Sequence, residues 1–321
     1  MNGFLFNKDS LPSLKHGGNG LYTAGINGVE DIFATGDGKV EFICYANDTV
    51  LAYLHSKMGY PAIYPLLPAR IDKPIKAVLM DLDGTSIRSE EFWMWVIEQT
   101  MAILLDKKKF DLENVDLPHV AGHSVSEHLK YCINKYCPDK TVEEARSYYL
   151  QITRVEMAEI VKGNGRKNAF KPAEGLKDFL LALKSKQIKI GLVTSGLYEK
   201  AWPEIFDAFK QFDMGDPYKF YDAIITAGYS FDSGQPGTLG ELEPKPHPWL
   251  YAETARVGLG LDTSHRYNIV GIEDSGAGVV SIRLAGFSAI GLTHGNIAES
   301  KTDALCTHYC TNFAEALSVI V

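Results

Sequence analysis

Ile75-Lys76-Ala77-Val78-Leu79-Met80-Asp81-Leu82-Asp83-Gly84-Thr85 is the stretch that decides the fold. Its first six residues form a short, largely apolar run of the kind that fills a buried strand. The run ends on two carboxylates two positions apart, followed by a glycine where the chain can turn sharply. Downstream the pattern alternates. Residues 188–193, 222–226, 267–272 and 288–292 read as strands, and 201–209, 249–257, 278–285 and 312–319 read as helices. Such alternation predicts an α/β protein with a Rossmann-like parallel sheet covered by helices on both faces.

Between the first strand and the rest lies a long helical stretch. Residues 90–105 carry Phe92, Trp95, Val96 and Met101 at helical spacing. Ser124-Val125-Ser126-Glu127 and Thr141-Val142-Glu143-Glu144 have the form of capping boxes, each opening a further helix. Nothing between Phe92 and Lys184 reads as a strand, which predicts an all-helical cap over residues 89–186, inserted after the first core strand. The α/β core then comprises 74–88 and 187–321. Residues 1–73 form an N-terminal extension, either a small accessory subdomain or an arm packed on the main body. In it, 39–45 reads as a strand and 49–58 as a short helix. Pro61, Pro65, Pro68 and Pro74 punctuate an extended connector.

Composition narrows the class. A chain of 321 residues with 45% hydrophobic and 22% charged residues is an ordinary globular protein, long enough for two compact units. A net charge of −8 argues against nucleic acid as a partner, since phosphate binding runs on clustered positive charge. No run reaches the ~18 apolar residues of a membrane span. The start of the chain has no basic segment followed by an apolar one, so no signal peptide is expected. Cys44, Cys132, Cys137, Cys306 and Cys310 form no C-x-x-C pair, so reduced thiols in a cytoplasm are expected. Oligomeric state is left open.

Ligands of open parallel sheets bind outside the carboxyl ends of the strands. Four such places carry reactive groups: Asp81 and Asp83, Thr194-Ser195-Gly196, Lys245 within Glu243-Pro244-Lys245-Pro246, and Glu273-Asp274-Ser275. Carboxylates crowded on one edge repel unless a cation sits among them, and oxygen ligands suit Mg²⁺. A hydroxyl, backbone amides and an ammonium suit the oxygens of a phosphoryl group. One carboxylate can take that group as an acyl phosphate while the other moves protons. Singly, each segment is also a good turn or helix cap. Four together at strand ends favour chemistry.

The Asp81-Leu82-Asp83-Gly84-Thr85 segment resembles the D-x-D-G-T signature of the haloacid dehalogenase superfamily, and Thr194, Lys245 and Glu273-Asp274 match its later motifs in order. The resemblance runs from about Ile75 to the C-terminus. The helical insert is similar to the cap of the β-phosphoglucomutase and phosphoglycolate phosphatase branch. The resemblance implies that Asp81 is the nucleophile and Asp83 the general acid/base. It implies that Thr194, Ser195 and Lys245 bind phosphate, with Lys245 also holding Asp81. Mg²⁺ would be ligated by the Asp81 carboxylate, the Asp83 backbone carbonyl and Asp274, with Glu273 directly or through water. The expected activity is Mg²⁺-dependent hydrolysis of a small phosphorylated metabolite such as a sugar phosphate.

Two alternatives stand beside it. One is a phosphomutase of the same fold; the branch's mutase carries a histidine on the first cap helix where this chain has Trp93. The other is a binding or regulatory protein on a retained hydrolase scaffold. The segment Gly122-His123-Ser124, with Trp93, is the candidate for substrate specificity. The glycine-rich stretch 229–243 reads as surface slack more than as a lid.

Overall fold

The computed structural model describes residues 4–55, 61–116, 125–228 and 243–321. Six parallel strands make the central sheet: β6 (Ala77–Asp81), β9 (Lys189–Leu197), β10 (Ala223–Gly228), β11 (Ile269–Glu273), β12 (Ser288–Leu292) and β13 (His308–Cys310), in the order β10-β9-β6-β11-β12-β13. Every residue of β6 is buried, as a strand covered on both faces requires. The pleat sends Val78 and Met80 into one apolar core and Ala77 and Leu79 into the other. The expected α/β class is therefore borne out.

β6 is central, with β9 on one side and β11 on the other. Registers of Asp81 with Val193 and of Met80 with Ile272 bring the ends of these three strands to one level. This pairing puts the acidic turn, the Thr194 segment and the Glu273-Asp274 pair side by side.

The insert contains helices Glu90–Leu104, Val125–Tyr136 and Val142–Lys162. Thr141 caps the last, its hydroxyl accepting from the Glu144 N–H at 3.1 Å, and Gly163 ends it in the left-handed region at φ 84°. The expectation of no strand in this stretch is corrected in one detail. The two-residue strand β8 (Lys171–Pro172) pairs with β7 (Ile87–Arg88), so the chain leaving for the insert is tied to the chain returning.

The N-terminal part is a five-stranded antiparallel sheet, β1 (Ser13–Leu14), β2 (Val29–Ala34), β3 (Val40–Tyr45), β4 (Val50–Leu54) and β5 (Ala62–Pro65). The helix expected over 49–58 is overturned: residues 50–54 are a strand whose burial alternates, with Val50, Ala52 and Leu54 inward. The period is two, not 3.6, which a short apolar segment disguises. The proline-marked connector contributes β5, a strand on the sheet edge, with Pro65 at its last position where no interior ladder bond is lost. Among the described residues no helix is long and apolar enough to cross a membrane.

Candidate active site

The turn after β6 is built by local bonds. The Gly84 N–H reaches Ile87 O at 2.8 Å, the Ser86 hydroxyl donates to Asp81 O at 2.5 Å, and Gly84 sits at φ 83°. Glycine is needed here twice over. A Cβ at this position would also lie 2.3 Å from Asp274 Oδ2, so the turn and the β11 end interlock.

Asp81, at the end of β6, is buried. Its Oδ1 accepts from Lys245 Nζ, and the same ammonium donates to Glu273 Oε1 at 2.6 Å. Glu273 is fully buried and well supplied. Oε1 also accepts from the Tyr251 hydroxyl at 2.9 Å, and Oε2 from the Asp274 and Ser275 N–H groups and the Ser275 hydroxyl at 2.9–3.2 Å. Gly278 lets the following helix approach; a Cβ there would lie 1.8 Å from Glu273 Oε1. Asp274 accepts from the Thr85 hydroxyl at 2.8 Å. Thr194 is buried with its hydroxyl oxygen accepting from the Gly196 N–H at 2.9 Å, and Ser195 Oγ accepts from the Lys245 N–H at 3.2 Å. Ser195 thus links the second motif to the third.

Electrostatics follow from this crowding. Burial first, and the neighbouring Glu273 second, push the Asp81 carboxyl well above its usual range, against the pull of Lys245. The same two causes push Asp274 up to about 7. Burial would lower Lys245, but Asp81 and Glu273 outweigh it and keep the ammonium charged. Oxygens of Asp81, Glu273 and Asp274 lie within 4.8 Å of one another. Three buried carboxylates facing one ammonium form an acidic pocket that fits a hard divalent cation.

Asp83 stands outside that cluster. Its Oδ1 accepts from the Ser89 hydroxyl at 2.7 Å, and Lys200 Nζ lies 3.4 Å from both of its oxygens. Burial alone would raise its pKa, but Lys200 and then Ser89 hold it below the usual carboxylate value. Lys200 is also 3.8 Å from the fully buried Glu204 and 4.2 Å from the centroid of the Trp93 ring. Burial, then the charge of Asp83, push the Glu204 carboxyl well above its usual range. Trp93 is therefore near the acidic turn, stacked on Tyr149 at 6.2 Å, as well as against Phe92 and Phe170.

Asp81, Asp83, Thr194, Ser195, Lys245, Glu273 and Asp274 thus converge, and Trp93 borders them. Gly122-His123-Ser124 and residues 229–242 lie outside the described residues. The sequence reading missed Lys200, Glu204 and Tyr251. A usable signal existed: Glu204 falls beside Ala201, Ile205 and Ala208 on the buried face of the Tyr198–Phe212 helix, an odd place for a carboxylate.

A family model described as a haloacid dehalogenase-like hydrolase matches residues 75–286. The chain belongs to that family. CbbY from Rhodobacter sphaeroides in complex with phosphate has a similar structure, at 18% identity and a TM-score of 0.52, over 75% of this chain and 96% of that one. A variant of CbbY in complex with xylulose-(1,5)bisphosphate matches over the same shares at 16% and 0.52. A protein from Haemophilus somnus 129PT described as a predicted phosphoglycolate phosphatase matches at 17% and 0.57, over 78% and 99%. At these identities the likeness speaks to the fold. No curated protein matches the chain in sequence.

Proposed function

We propose that the protein is a Mg²⁺-dependent phosphomonoesterase acting on a small phosphorylated metabolite of the sugar phosphate kind, through a phosphorylated Asp81. The observation that carries this is a buried carboxylate at the central strand end, gripped on one oxygen by Lys245. Lys245 occupies Oδ1, which leaves Oδ2 to attack phosphorus. The bond from phosphorus to the ester oxygen breaks as the new bond forms, and Asp83 gives the departing oxygen its proton. Before substrate arrives Asp83 is held ionised by Lys200 and Ser89. A phosphate dianion placed beside it favours proton uptake, because like charges disfavour the ionised form. In the second half, Asp83 takes a proton from water, water oxygen attacks phosphorus, and Asp81 is released with phosphate. Thr194, Ser195 and the N–H groups after them hold the phosphoryl oxygens.

Asp81, Asp274 and the Asp83 carbonyl would hold the cation, with Glu273, whose oxygens already accept from Lys245, Tyr251 and the Ser275 turn, beside it. The bound cation would offset the negative charge of carboxylates and phosphate. Residues 89–186 serve as the cap that contacts the rest of the substrate. The phosphate and sugar bisphosphate bound by CbbY support the substrate class. Phosphate release from p-nitrophenyl phosphate with Mg²⁺ tests the reading: wild type should turn over and Asp81→Asn should not. Equal activity in both would remove Asp81 from the mechanism.

A further inference from the structure

We propose that Lys200 is a positioning residue for Asp83, and that it ties the orientation of the Asp83 carboxylate to the helical insert. The proposal rests on the reading of Asp83 as proton carrier. Among the described residues two side chains donate to Asp83, and both lead to the insert. Ser89, whose hydroxyl donates to Oδ1, is the residue from which the first insert helix starts. Lys200 belongs to the core helix Tyr198–Phe212, yet its ammonium rests over the face of Trp93 on that same insert helix. Trp93 in turn stacks on Tyr149 of the Val142–Lys162 helix.

The lysine is fixed from three directions. Asp83 takes it at 3.4 Å, symmetrically between two oxygens. Glu204, one helical turn further on and wholly buried, bounds the ammonium on a second side at 3.8 Å. The Trp93 ring closes the third side at 4.2 Å, the geometry of a cation over an aromatic face. A side chain with four rotatable bonds is thereby confined to one place. The symmetric approach fixes the plane of the carboxylate as well as its direction. Lys245 does not serve this purpose, since its ammonium is taken by Asp81 and Glu273. If the insert moves away, Trp93 leaves with it, and both holds on Asp83 loosen together. Proton delivery is thus linked to closure over the substrate, where water is excluded.

The test compares kcat and KM on p-nitrophenyl phosphate, whose leaving group needs no proton, and on glycerol 1-phosphate, whose leaving group does. Lys200→Met should lower kcat/KM on the alkyl ester by ~10–100-fold, a part of the usual general-acid contribution, and by less than ~3-fold on the aryl ester, because kcat/KM ends with departure of the alcohol and leaves out the water step that Asp83 serves on both esters. Lys200→Arg should recover most of the loss. Trp93→Leu should reproduce the same leaving-group bias more weakly. In an Asp83→Asn background, Lys200→Met should cost nothing further. Should Lys200→Met fold poorly because it leaves Glu204 buried without the ammonium beside it, the double variant Lys200→Met/Glu204→Gln removes the buried acid and should show the same bias. Equal losses of kcat/KM on both esters, or an alkyl-ester loss confined to KM, would overturn the positioning role. An inactive wild type, or an active Asp81→Asn, would instead overturn the phosphatase reading. An Asp83→Asn variant without leaving-group bias would overturn the assignment of Asp83.

Discussion

Withdrawing divalent cation should cost the protein stability in a pH-dependent way, and the sign follows from the acidic pocket. Asp274 has its carboxyl pushed from 3.8 up to about 7 by burial and Glu273, and Asp81 moves in the same direction. A carboxyl whose folded pKa lies above its unfolded value binds more protons folded than unfolded between the two values. Cation-free stability therefore falls as pH rises from about 4 to about 7, and stays low above that. For Asp274 the loss is on the order of 4 kcal/mol, at about 1.4 kcal/mol for each tenfold in the proton equilibrium. An unfolding entropy of roughly 2.1 cal/mol/K per residue over 321 residues turns that into a Tm shift of about 6 °C. Mg²⁺ bound as proposed would stabilise the ionised carboxylates, so it should raise Tm by several degrees at pH 8 and hardly at all at pH 5. Taking the difference with and without Mg²⁺ at each pH cancels titrations elsewhere in the chain. Asp274→Asn supplies the control: without cation it should melt above wild type at pH 8, and Mg²⁺ should help it less. A Mg²⁺ effect of equal size at pH 5 and pH 8, or an Asp274→Asn variant less stable than cation-free wild type at pH 8, would refute the reasoning.

Gly84→Ala should raise the Mg²⁺ concentration needed for half-maximal turnover and cost about 2 kcal/mol in urea unfolding, because a Cβ at φ 83° meets Asp274 Oδ2 at 2.3 Å. Lys245→Met should destabilise cation-free protein by roughly 3–5 kcal/mol, since it leaves Asp81 and Glu273 buried without their ammonium. Pairing it with Glu273→Gln should restore part of that in the same denaturant titration, without restoring turnover.

The core sheet was legible because its signals are local. Ile269–Glu273 and Ser288–Leu292 are apolar runs of strand length, and the carboxyl ends of β6, β9 and β11 carry their polar residues in register with the chemistry. The short strands β7, β8 and β13 were not legible, because two or three residues carry no period; pairing partners define them. The reading of residues 49–58 failed for a related reason, since five residues of alternating burial in β4 fit either period until β3 and β5 are beside them. At the site, the motif residues were legible, but the residues that hold them were not. Tyr251 and Lys200 each lie on a helix that also packs against the core, so sequence alone gives them two competing reasons to exist. Glu204 was the exception, a carboxylate on an apolar stripe, and it marks the place where Lys200 is fixed.

The N-terminal sheet lies before the stretch that the family model matches, yet it is joined to the machinery rather than appended to it. Phe6, Val40, Phe42, Leu54 and Leu66 share one apolar core with Leu250, Tyr251, Val279 and Ile282, which flank the ends of the central sheet. Arg283, fully buried on the helix that follows Asp274, donates to Phe4 O, Leu5 O and Leu67 O. The Tyr64 hydroxyl on β5 lies 2.8 Å from Nδ1 of His247, two residues beyond Lys245. The Gly36 N–H donates to Ser300 O at 2.6 Å, in the segment where Asn296 Oδ1 accepts from the Gly276 N–H beside Asp274. The sheet therefore braces both the Lys245 loop and the Asp274 turn. Removing residues 1–73 would uncover that shared core, where each large apolar side chain is worth about 1.5–3 kcal/mol on burial, and would take away the Phe4, Leu5 and Leu67 carbonyls that anchor Arg283. The truncated chain should be insoluble or molten, detectable as dye binding to exposed apolar surface and loss of a cooperative melt. Tyr64→Phe is the milder probe: losing one hydrogen bond should cost about 1 kcal/mol and lower kcat, with KM little changed, through a looser Lys245 loop. A soluble, cooperatively melting fragment 74–321 with wild-type turnover would show that the sheet is cargo on an independent hydrolase, and the bracing argument would fall.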